Sequence, residues 1–171
     1  MAPDQKNEPK APQLPNSFIQ LSGTNVLRLD QFRALGLDQP PRELLVLSAC
    51  QTAIGDRQAE LGFAGLATQA GVKSAIGSLW RVDEGGSLAI MTEFYQQLPS
   101  ARIKAEALQQ AQLNMISKKV RIQKRTSAGT ELIWTQGAET LPVDAKYPDP
   151  KIPDFSHPYY WSGFSLVGNP W

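Results

Sequence analysis

Apolar and polar positions alternate in Ser17–Leu21 and again in Asn25–Leu29, with Ser22-Gly23-Thr24 between them, which predicts two short strands joined by a turn. Asp30 then stands where a helix cap is expected, ahead of Gln31–Leu35, and Gly36 follows as a stop. Leu44–Ala49 is continuously apolar, the pattern of a strand covered on both faces, and is expected to be central in its sheet. Phe63, Leu66, Ala67 and Ala70 recur at helical spacing before Gly71, and Val72–Trp80 reads as the next strand. One helix between two strands is a βαβ unit, which implies a parallel pair with a right-handed crossover. Met91, Phe94, Tyr95 and Leu98 mark a second helix, and Leu108, Ala111 and Met115 mark a third within Ile103–Ser117. The class is α/β, with mostly parallel central strands and flanking helices.

The pattern changes over Lys118–Pro158, where five basic residues fall between Lys118 and Arg125 and five prolines between Pro142 and Pro158. A surface excursion is expected there, with Val120–Gln123 and Glu131–Thr135 pairing as a small hairpin. Tyr159–Val167 is aromatic and apolar enough for one more buried strand. At the other end, the first fifteen residues carry four prolines among polar neighbours, so residues 1–16 are expected to be a disordered leader and residues 17–171 the folded domain.

With 42% apolar residues in 171, the chain can build a core of ordinary size. Seventeen Lys+Arg against sixteen Asp+Glu leave a formal charge of +1, which gives no broad field for nucleic acid or an anionic membrane. The basic run at Lys118–Arg125 fits the solvated end of a helix better than a nucleic-acid site. No apolar stretch matches a signal peptide or a bilayer span, so a soluble cytoplasmic protein is expected. A single cysteine rules out an intrachain disulfide, and no cofactor or metal is expected, because Cys50 and the single histidine, His157, cannot complete a zinc sphere.

Cys50 closes the apolar strand Leu44–Ala49, ahead of the polar turn Gln51–Gly55. The carboxyl end of a strand in an open sheet holds a reactive group rigidly and within reach of a ligand. The same position suits a small buried hydrophobe, so placement leaves both roles open. As a nucleophile the thiol needs a partner that favours the thiolate, a proton donor for the leaving amine and donors for the oxyanion. His157, in Ser156-His157-Pro158-Tyr159-Tyr160-Trp161, either folds back to Cys50 or packs where the loop enters the last strand.

The blocks Leu45-Val46-Leu47-Ser48-Ala49-Cys50-Gln51-Thr52, Glu60–Ala67, Gly71–Ala75, Ser78-Leu79-Trp80-Arg81-Val82-Asp83, Phe94-Tyr95, Ala105–Leu108 with Ala111-Gln112, and His157–Trp161 ending in Gly168–Trp171 resemble the CHAT domain. This is a caspase-like domain of bacterial proteins often joined to tetratricopeptide repeats. The resemblance runs from about Ser17 to Trp171. It implies a caspase-haemoglobinase fold and, in complete members, a cysteine endopeptidase with a Cys–His dyad. Cys50 matches the nucleophile; Ser78, Trp80 and Asp83 match a block near the substrate cleft, where Asp83 is either a pocket acid for a basic side chain or a helix cap. The family's catalytic histidine precedes the hairpin, in a place taken here by the proline-rich stretch, and His157 matches a different block. The resemblance therefore implies a fold truncated on its N-terminal side, inactive alone for want of the dyad histidine. The expected partners are a peptide substrate, a tetratricopeptide-repeat protein, or a chain that supplies the missing histidine; a non-catalytic interaction module or one half of a split enzyme is the alternative.

Overall fold

The computed structural model describes residues 18–20, 24–47, 59–126, 130–136, 139–143 and 154–171. The leader expected over 1–16 and the segment that carries Cys50 lie outside the described residues. Phe18–Gln20 (β1) and Val26–Arg28 (β2) form the expected antiparallel hairpin, with Ile19 opposite Leu27. A 3-10 helix follows over Leu29–Leu35 and ends at Gly36, whose φ of +61° lies in the left-handed region that only glycine enters without strain. Its start differs from expectation. The cap position is Arg28 rather than Asp30, and the Arg28 amide donates to Gln31 Oε1 at 2.9 Å. A glutamine three residues on thus satisfies an amide that a 3-10 start leaves open.

The central sheet contains Leu45–Val46 (β3), Ser74–Ser78 (β4) and Phe164–Gly168 (β8), in the order β3-β4-β8. β3 and β4 are parallel, with Val46 opposite Ile76, as the βαβ reading requires. β4 and β8 are antiparallel, with Ser78 opposite Phe164, so the sheet is mixed rather than mostly parallel. Among the described residues β4 is the central strand and β3 an edge, which corrects the expectation that Leu44–Ala49 is central. The last strand also starts later than its apolar run suggests, because Pro158–Tyr160 turn as a 3-10 helix before β8.

Alternation along these strands sorts the core into two layers. Ala75, Leu45, Leu47 and Val167 face the helix Ala59–Gln69 (α1) and the 3-10 helix through Phe32. Ile76, Leu44, Val46, Phe164 and Leu166 face the helices Glu84–Gln97 (α2) and Lys104–Ile116 (α3) through Ile90, Phe94, Ala107 and Met115. Among the described side chains of α1, Ala64 and Ala67 are buried and Leu66 is half-buried, and small residues there let the helix lie close to the sheet. Close approach also explains Gly168 in β8: its φ is +97°, and a Cβ would stand 2.5 Å from the Lys73 carbonyl and 2.9 Å from Thr68 Cγ2.

α2 stops at Leu98, next to Pro99, as helices do before proline. α2 and α3 share a buried polar link: Glu93 Oε1 accepts from Gln97 at 2.7 Å and from Asn114 at 2.6 Å, and Asn114 Oδ1 accepts from Gln110 at 3.0 Å. α3 also fastens the chain on both sides of β8. Its Lys104 amide donates to the Pro170 carbonyl at 2.7 Å, and Gln112 Nε2 donates to the Phe164 carbonyl at 3.2 Å.

The expected surface excursion contains a second sheet, Val120–Thr126 (β5), Thr130–Gln136 (β6) and Glu139–Val143 (β7), all antiparallel. The expected hairpin is β5–β6, with Ile122 opposite Trp134, and β7 is a strand that its proline concealed. Val120 anchors this sheet in the core beside α2 and α3. Ile76→Ala should lower unfolding free energy by about 2–4 kcal/mol in urea titration, because the fully buried side chain leaves a cavity between β4 and two helices. Leu113→Ala, on an exposed face, should stay within about 0.5 kcal/mol.

Candidate functional site

The parallel pairing of β3 and β4 brings their carboxyl ends to the same end of the sheet. From the end of β3 the chain passes into residues 48–58, which include Cys50 and lie outside the described residues. From the end of β4 it passes into Leu79–Asp83, which is described in full and leads to α2. Ser78 ends β4, and Trp80 and Asp83 lie in this turn.

Ser78 Oγ donates to the Trp80 carbonyl, and the Trp80 amide approaches the same hydroxyl at 3.4 Å, closing a tight local loop. A serine here satisfies backbone groups that the end of a strand would leave bare. The Leu79 amide donates to the Gly163 carbonyl at 2.9 Å, which ties the turn to the start of β8. Trp80 lies over Gly163, where a Cβ would come within 2.9 Å of the indole ring, so only glycine leaves room for the ring. Its Nε1 donates to the Tyr159 carbonyl at 3.0 Å, and Tyr159 Oη donates back to the Arg81 carbonyl at 2.7 Å. The His-Pro-Tyr-Tyr-Trp block thereby clamps the turn after β4 from the far end of the sequence.

Asp83 is the N-cap of α2, and its Oδ1 accepts from the Gly85 amide at 3.0 Å and the Gly86 amide at 3.2 Å. Of the two roles left open by the sequence, the cap is the one the geometry displays. Tyr160 packs against Gly86, where a Cβ would meet its Cδ1 at 2.7 Å. Its phenol titrates above the ordinary value, through burial first and then the negative charge of Asp83.

His157 caps its own 3-10 turn. Its Nδ1 accepts from the Tyr159 amide at 3.2 Å, and the ring is exposed. The adjoining Asp154 accepts from Lys118 Nζ at 2.7 Å and from the Ser156 hydroxyl at 2.7 Å, which holds its carboxyl well below the usual range. The sequence reading missed this lattice because Trp80 and Tyr159 are 79 residues apart; two aromatic blocks with small glycines opposite each other were the available signal. Among the described residues no group of His, Cys, Asp and Glu could hold a metal ion, and no helix is long and apolar enough to cross a membrane.

The profile of the CHAT domain family matches residues 8–169. The chain belongs to the CHAT domain family. That membership implies a caspase-like fold, consistent with a small mixed sheet between helical layers. Comparison with curated proteins and with solved structures gives no match.

Asp83→Ala should lower stability by about 1 kcal/mol in urea unfolding, and Asp83→Asn should retain most of it, since an amide oxygen also caps a helix. Equal loss in both variants would show that the negative charge, rather than the capping oxygen, sustains the turn.

Proposed function

We propose that this CHAT domain is the nucleophile-bearing part of a caspase-like cysteine endopeptidase, with Cys50 as the attacking group. The observation that carries the reading is the parallel β3–β4 pair. It supports a site at one end of the sheet, flanked on the β4 side by a turn in which Ser78, Leu79, Trp80, Arg81 and Asp83 are each hydrogen-bonded. In the reaction, the Cys50 thiolate attacks a peptide carbonyl to form a C–S bond, backbone donors hold the oxyanion, and a general acid protonates the departing amine.

These 171 residues hold one histidine, and its Nδ1 is occupied as a cap. The proton donor must therefore come from outside them, from another chain or from sequence joined to this one. The chain alone is acylated by an activated probe, whose leaving group needs no protonation, and does not cleave peptides. Its thiol chemistry belongs to a reducing, cytoplasmic compartment, and the partner is a protein or peptide rather than nucleic acid or membrane. A second reading, a module that binds another protein without catalysis, draws support from the β5–β6–β7 sheet, which extends from the body through β5. A tetratricopeptide-repeat protein is one partner class for it.

Incubation with a thiol-directed acyl probe and a peptide library should label Cys50 and leave the peptides uncut, with labelling unchanged in His157→Ala. Steady cleavage that disappears in His157→Ala would contradict the external proton donor. Recovery of the same partner protein by native chain and by Cys50→Ala would favour the binding module.

A further inference from the structure

We propose that His157 is a proton-operated catch: its neutral ring holds Tyr159 in place beside the end of β4, and protonation of the ring releases it. The inference stands whether or not the domain cleaves peptides. The catch is one contact. His157 Nδ1 accepts from the Tyr159 amide at 3.2 Å, and this bond caps the 3-10 turn Pro158–Tyr160. A neutral imidazole has one bare nitrogen that accepts, whereas the protonated ring carries N–H on both nitrogens and accepts nothing. Proton uptake therefore turns Nδ1 from acceptor to donor and sets two N–H groups against each other.

Tyr159 passes that change on. Its carbonyl accepts from Trp80 Nε1 at 3.0 Å and its hydroxyl donates to the Arg81 carbonyl at 2.7 Å, so one residue holds two consecutive positions of the turn after β4. Fixing the Tyr159 amide fixes where both groups point. His157 is exposed, which opens its ring to solvent protons, and Tyr160 meets the ring edge-on with centroids 6.5 Å apart. The charged groups around this cluster are Asp154 on the same segment, Lys118 just after α3, and Arg81 and Asp83 on the turn into α2. Asp154 accepts from Lys118 and Ser156, and Asp83 accepts from two helix amides. His157 is in none of the ion pairs of the described residues, so no ion pair holds a protonated ring in the same pose. The bond is complete where the imidazole is neutral and is lost as pH falls through the window, from about 8 to about 5, in which imidazoles take up their proton. These 171 residues hold one histidine, and Lys118 with Ser156 keeps the Asp154 carboxyl titrating well below that window, so no second imidazole and no neighbouring carboxyl of this segment mimics the response.

The test is hydrogen exchange by NMR on the full chain at about pH 7.5 and about pH 5.5, on either side of imidazole titration. It is read as protection factors, which remove the intrinsic dependence of exchange on pH. In the native chain the Trp80 indole and the Tyr159 amide should lose protection about fivefold at the lower pH, the scale of one neutral hydrogen bond. The Ile76 amide, in the middle of β4, should keep its protection. His157→Asn, whose side-chain oxygen caps a turn and does not titrate, should protect both groups equally at the two pH values. His157→Ala should protect them poorly at both, with the Ile76 amide still protected as the mark of a folded chain. A fall of native size in His157→Asn or His157→Ala, or a native chain equally protected at both values, would overturn the catch. A fall shared by Ile76 would overturn it too, because it would show the whole sheet loosening rather than the release of Tyr159.

Discussion

The reciprocal bonds between Trp80, Arg81 and Tyr159 are the constraint on which the end of the central strand depends. A turn that leaves a buried strand has backbone groups to satisfy and no regular partner to satisfy them. Here Tyr159, 79 residues after Trp80, supplies both a carbonyl and a hydroxyl, and Gly163 and Gly86 clear the space for the neighbouring rings of Trp80 and Tyr160. Each contact is modest in isolation, on the order of 1 kcal/mol for a neutral hydrogen bond. Their effect is joint, because all of them act on five consecutive residues and leave that turn no alternative course.

This arrangement separates support from chemistry. Ser78, Asp83 and His157, all polar residues of the kind that attract catalytic assignments, bind backbone amides or carbonyls close to themselves in sequence. They shape the rim. The side chains that remain outward are Leu79, Arg81 and Tyr159, and these give this end of the sheet its apolar and cationic character. A turn fixed by local caps and one distant clamp can vary its outward residues without disturbing the sheet behind them.

Much of the architecture was legible in the chain because it rests on local rules. Gly36 and Gly71 stop their helices at the predicted places, and the strand–helix–strand spacing from Leu45 to Ser78 forces the parallel pair. What escaped prediction depends on distance or on mixed signals. The antiparallel entry of β8 beside β4 is a tertiary choice that a continuous apolar run cannot encode, and Pro142 masked β7. Arg28 displaced Asp30 as the cap because a glutamine side chain reached its amide. The family blocks singled out the segment Ser78–Asp83, yet only its hydrogen bonds show that Asp83 caps a helix and that the His157 block is its clamp.

The most direct measurement is a crystal structure of the chain alkylated at Cys50 by a peptidyl ketone. The account predicts that the peptide lies at the end of the sheet where β3 and β4 finish, with Trp80 and Tyr159 still bonded at neutral pH. A peptide directed to another face of the domain, with those bonds absent, would contradict it.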